Sequence, residues 1–238
     1  MPDSSQTPIT PRVDNRFQRL PIDGSANLLT VLESLLKHPG RIFHEIQSGR
    51  AAKVTALLGI LLLFCLAIYG IVVGSLVGGE QFWIAPTKIA IGSTISAIIC
   101  LPSLYIFLCL GGLDTHLRCV AGELTAAIAL TSLLLIGFAP VAWVFSQSTD
   151  SIGMMTSLHL IFWAVALTFG LRLLSVSTAA AGQKQAGNLT VWMVIYIVVS
   201  LQMMTSLRPI IGQGTTFLPR EKEFFLVHWL SIMTSGMK

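Results

Sequence analysis

Apolar residues gather in five long blocks along the chain, separated by short polar breaks. The blocks cover about Val54 to Gly78, Lys88 to Gly111, Val120 to Phe145, Met154 to Ala179 and Leu189 to Gly212. Each holds the roughly 20 residues that a helix needs to cross hydrocarbon. A lone segment in lipid satisfies its backbone polar groups by coiling into a helix. Breaks of about eight to twelve residues leave no room for an inserted soluble domain. The pattern predicts an all-α protein, an integral bundle of five transmembrane helices over residues 51–213.

The flanks have a different rhythm. From Asn27 onward, Leu28, Leu29, Leu32, Leu35 and Leu36 recur at three- and four-residue spacing, which gives one apolar helix face. His38-Pro39-Gly40 ends that helix, because proline removes a backbone donor and disfavours a helical preceding residue. The short piece RIFHEI follows. Residues 27–50 are therefore expected to be amphipathic and to lie in the headgroup region, with their basic side chains toward anionic lipid. Residues 1–26, with Pro2, Pro8, Pro11 and Pro21 and few apolar side chains, are expected to be a disordered tail. In 214–238 the apolar run Phe224 to Met233 is too short to cross. This tail is expected to form an interfacial helix, with Trp229 at headgroup level.

Composition agrees: the chain is 53% hydrophobic and only 11% charged, with a mean hydropathy of +0.76. A soluble domain carries about 25% charged residues. Arg12, Arg16, Arg19, Lys37, Arg41, Arg50 and Lys53 precede the first block, whereas the first loop has only Lys88 at its edge and SQSTDSIG has no basic residue. That asymmetry predicts a cytoplasmic N-terminus, with Arg220, Lys222 and Lys238 counting against it. The N-terminus lacks a signal-peptide core and cleavage site, so the first block is expected to be an uncleaved anchor. The sequon at Asn188 abuts the fifth block on the cytoplasmic side and is read as chance. Cys65, Cys100, Cys109 and Cys119 form no C-x-x-C pair and lie near no histidine set. No metal, no cofactor and no nucleic-acid pattern is expected.

Within the blocks a few residues stand out. Gly70, Gly74 and Gly78 make a bare stripe at four-residue spacing, suited to close helix contact. Pro102 and Pro140 predict kinks, with Ser103 or Ser96 able to bond freed backbone groups. Glu123 and Arg172 are expected at matching depth, about 5 to 10 Å inside the cytoplasmic boundary, so they can form a polar tie. The competing reading lets Arg172 snorkel to the interface on its own stem. Arg208 is expected to anchor the outer end of the fifth span, and Gln202 to bond a neighbouring helix. Asp114, His116, Arg118 and Glu123 crowd the start of the third block, but no nucleophile or metal geometry completes a catalytic set. His159 and Arg208 are ionisable on the far side, with no acidic group in mid-membrane. This argues against proton-coupled transport.

HPGRIF before the first block, LGGLDTHLRCVAGEL into the third, FAPVAW near its end and FGLRLL late in the fourth together resemble the bacterial branch of the Yip-domain family. That family is named for Ypt/Rab-interacting membrane proteins. ICLPSLYIF and QMMTSLRPIIG resemble a sub-group of bacterial five-span proteins grouped with it. The resemblance covers about residues 28 to 218. It implies a five-helix fold and brings no catalytic residues.

The reading that results is a non-enzymatic scaffold or accessory subunit in a bacterial inner membrane. It would act through contacts with other membrane proteins or with itself, and the 27–50 segment would be its partner surface. The alternative is a small-solute or ion pathway lined by the Pro102 and Pro140 kinks.

Overall fold

The computed structural model describes residues 27–75, 81–148, 152–183 and 186–206. The N-terminal tail, the C-terminal interfacial helix, Gly78, Arg208 and Trp229 lie outside the described residues. The described chain is all-helical: α1 (Leu28–Lys37), α2 (Pro39–Gln47), α3 (Ala51–Ser75), α4 (Gln81–Leu110), α5 (Leu117–Ser148), α6 (Ile152–Ala180) and α7 (Ala186–Ser206). Four of these, α3 to α6, are long and apolar enough to cross a bilayer. The protein is therefore an integral, multi-pass membrane protein. The apolar part of α7 that is described, Gly187–Met203, is shorter than a full crossing.

The helices begin and end where local chemistry requires. Asn27 caps α1, and its backbone N–H donates to the Thr30 hydroxyl at 2.8 Å. The break falls at His38, and Pro39 opens α2 as the first helical residue, where a missing N–H costs nothing. α4 and α6 end on left-handed glycines, Gly112 (φ 84°) and Gly182 (φ 104°). In both, the following residue bonds back across the turn, Leu113 N–H to Leu108 O at 3.1 Å and Gln183 N–H to Thr178 O at 3.2 Å. Glycine bears that backbone geometry without a Cβ clash.

Lateral order follows from the contacts. α3 lies between α5 and α4; α5 lies between α3 and α6; α7 packs on α4 and barely touches α6. The resulting row reads α6–α5–α3–α4–α7. α3, α5 and α7 run one way and α4 and α6 the other. α1 and α2 cap the end of the bundle that carries Lys53 and Arg118. There Val31, Leu35, Ile42, Phe43 and Ile46 join the buried core.

Glycines set the helix spacing. A Cβ on Gly70 would overlap Pro86 Cα and sit 2.9 Å from its nitrogen, so α3 and α4 approach to backbone contact there. On Gly170 it would overlap the Thr131 hydroxyl and lie 2.5 Å from Ala127 O, joining α6 to α5. On Gly122 it would meet Thr55 Oγ1 at 2.9 Å and Ile46 Cγ2 at 3.0 Å. Small residues are how membrane helices come close when water supplies no driving force between them. The outward faces are apolar, with Phe64, Trp83, Ile98, Trp143 and Ile161 all more than half exposed.

Candidate functional site

The residues able to carry chemistry inside the spans are few, and the structure sorts them into two polar contacts, one outward-facing charge and one buried lysine, Lys88. On α5, Glu123 is buried at 3% exposure. Its Oε2 lies 3.2 Å from the Ser177 hydroxyl of α6. That hydroxyl is also 2.9 Å from Leu174 O, so one proton serves two acceptors in turn.

Arg172 does not join them. It is exposed, and its separation of five positions from Ser177 places it about 140° around α6 and about 7.5 Å further along the axis. The expected depth match with Glu123 therefore fails, because the Glu123–Ser177 contact fixes the register one turn and a half away from the one assumed. Glu123 is tied to α6 through a serine that sequence reasoning passed over. In a double-mutant cycle Glu123→Gln with Ser177→Ala is expected to couple by about 1 kcal/mol, whereas Glu123→Gln with Arg172→Leu is expected to add within about 0.3 kcal/mol. A coupling above 1 kcal/mol for the second pair, read from denaturation in detergent, would restore the expected tie.

The second polar contact lies toward the other end of the bundle. Tyr69 of α3 reaches past α5 to His159 of α6, with its hydroxyl 2.8 Å from Nδ1. The rings meet edge to face at 5.8 Å and 84°. Tyr69 is buried, and His159 Nε2 is buried without a hydrogen-bond partner among the described residues. The imidazole therefore keeps one unused donor or acceptor position in either neutral tautomer. Of the two, the sequence singles out only His159. Tyr69 reads there as one aromatic in an apolar run, and nothing short of the fold brings it across 90 residues.

The other singled-out residues fall as follows. Gly70 and Gly74 are buried on α3, and Gly70 meets Pro86 of α4. Pro102 and Pro140 both lie within continuous helices and on exposed faces. Their rings face outward, so neither lines an interior path. Ser103 Oγ donates to Cys100 O at 2.8 Å and Ser96 Oγ to Gly92 O at 2.8 Å. Neither reaches Ile98 O, the carbonyl four residues before Pro102. Lys88, read as a span edge, is buried two turns inside α4, which starts earlier than the hydropathy pattern indicated. Asp114, His116 and Arg118 are exposed while Glu123 is buried, so the polar loop forms no cluster with it. All four cysteines are free thiols.

Among the described residues no group of three or more His, Cys, Asp or Glu could hold a metal ion. Comparison with family models, with curated proteins and with solved structures finds no match to the chain.

Proposed function

We propose that this protein is a non-enzymatic scaffold or accessory subunit that works through protein–protein contacts at and within the membrane. In this reading it has five spans, α7 being the fifth, and a cytoplasmic N-terminus in a bacterial inner membrane. The observation that carries it is the α1–α2 cap. Ile46 of α2 and Thr55 of α3 both close on the bare face of Gly122 of α5, and the Cys119 thiol lies 3.6 Å from Ile46 O. Glu45, fully buried, is clasped by Arg50, with Nε 2.7 Å from Oε2 and Nη2 2.9 Å from Oε1. The cap is thus rigidly mounted. Yet Leu29 and Leu36, seven residues apart on one stripe of α1, stay 76% and 54% exposed. An apolar stripe held firmly at the basic end suits a docking partner, and the Yip-like resemblance points the same way.

The test is co-purification in mild detergent, comparing the wild type with Leu29→Glu/Leu36→Glu. A partner chain that is lost from the double variant and re-forms a complex from purified components supports the reading. A wild type that purifies only as a monomer sinks it.

Tyr69–His159 favours a second reading, a small-solute pathway, because an unsatisfied buried imidazole nitrogen is a ready hydrogen-bonding position for a polar guest. In proteoliposomes this reading expects solute flux that falls at least tenfold in His159→Leu. Absence of flux across a panel of small polar solutes would remove it.

A further inference from the structure

The arginine in FGLRLL lies on the outside of the bundle. On α6 Ile161, Val165 and Phe169 fall eleven, seven and three residues before Arg172, which places all four on one stripe of the helix. The three apolar members are 58%, 39% and 52% exposed, and Arg172 is exposed beside them. Among the described residues no side chain pairs with its guanidinium.

Its depth follows from the helix contacts. Ser177 faces Glu123, and Gly170 faces Ala127 and Thr131, so Arg172 is level with Ile128 of α5. The Gly122–Thr55 contact carries that level to Leu61 of α3. Leu61 is eight residues past Lys53, or about 12 Å along the axis. A half-bilayer of hydrocarbon is only about 15 Å thick. Five side-chain bonds of about 1.5 Å extend the guanidinium about 6 Å from Cα, which leaves it well short of the level of Lys53. Snorkelling to a headgroup phosphate does not close that gap.

A guanidinium at this depth calls for a polar or oppositely charged partner. A second copy does not supply one. Among the described residues of α3 to α7 the acidic side chain is Glu123, which is buried and already bonded to Ser177. A symmetric contact on this stripe would also set arginine against arginine.

We propose that the stripe Ile161, Val165, Phe169 and Arg172 is an intramembrane interface for a transmembrane helix of a different chain, one that carries an Asp or Glu near the bilayer centre. Its apolar residues lie against Phe169 and Val165, and its carboxylate takes the bidentate face of the guanidinium. This rests on the scaffold reading above and names a second surface for it, on the opposite side of the membrane boundary from the α1 leucines.

The probe is a synthetic transmembrane helix of leucine and alanine with one central Asp, compared with the same peptide carrying Leu there. Both are co-reconstituted with the full chain in lipid bilayers, and association is read by fluorescence energy transfer. The wild type is expected to bind the Asp peptide at least tenfold more tightly than the Leu peptide. The preference should vanish in Arg172→Leu and persist in weakened form in Arg172→Lys. Equal binding of the two peptides by the wild type, or a preference that survives Arg172→Leu, overturns the proposal. In native membranes a photo-crosslinker at Phe169 is expected to capture a transmembrane helix with an acidic centre. Adducts to lipid alone, or to a second copy, overturn it too. If the co-purified complex persists while the peptide preference is absent, this inference fails and the scaffold reading stands. If the preference is present but the chain purifies as a lone monomer, the scaffold reading fails.

Discussion

Gly170→Leu is expected to destabilise the bundle by about 3 kcal/mol, the upper part of the range for forcing side-chain volume into a packed contact. A Cβ at this position already meets the Thr131 hydroxyl and the backbone carbonyl of Ala127. The backbone atom cannot rotate away, so α5 and α6 must part. Their separation would also break the Glu123–Ser177 bond and unstack Phe138 from Phe162, whose rings lie 4.8 Å apart. Gly59→Leu and Gly137→Leu make the matched controls, because nothing lies within 4 Å of a Cβ at either position. Both should stay within about 0.5 kcal/mol of the wild type. Unfolding by SDS titration in mixed micelles reads all three. A Gly170→Leu protein as stable as these controls would mean the α5–α6 contact is looser than its geometry.

The second large effect is expected at Trp192, the fully buried residue by which α7 holds on to α4. Its indole N–H lies 3.1 Å from both Cys100 O and Ser103 Oγ, and its ring stacks on Tyr196 at 5.3 Å. Among the described side chains of α7 the buried ones are Leu189, Trp192, Tyr196 and Ser200, a single stripe at three- and four-residue spacing. Because α7 barely touches α6, that stripe is most of its attachment. Trp192→Ala should cost about 3 kcal/mol, the low end for an aromatic truncation, since lipid tails can refill part of the space. Trp192→Phe keeps ring contact and loses the donor, for about 1 kcal/mol. Disulfide trapping between cysteines placed on facing positions of α4 and α7 measures the change. Undiminished trapping in Trp192→Ala would show that other residues carry the attachment.

Four long apolar helices and the break at His38 were legible in the sequence because each depends on local signals: run length, mean hydropathy, a proline after a histidine. Gly70 was legible for the same reason, as part of a regular small-residue stripe. Gly122 and Gly170 were not, because each is a lone glycine whose meaning depends on which helix crosses it. The Glu123–Arg172 expectation failed on register. Counting residues from an assumed membrane boundary carries an error of a turn or more, and one turn is enough to exchange an arginine for a serine as partner. Tyr69–His159 and Trp192–Cys100 join residues 90 and 92 positions apart. No spacing rule reaches that far.

The wedge formed by Ile46 also constrains biogenesis. It seats on Gly122 beside Thr55, and Gly122 lies beyond two complete membrane helices. During synthesis the cap can settle only after α5 has entered the bilayer and aligned beside α3. A chain stalled after α4 would leave Val31, Leu35, Ile42 and Ile46 without the cover that α5 supplies. Exposed in that way, they would mark an unfinished chain for the chaperones and proteases that survey membrane insertion, and closure of the cap would mark correct pairing of the first and third long helices.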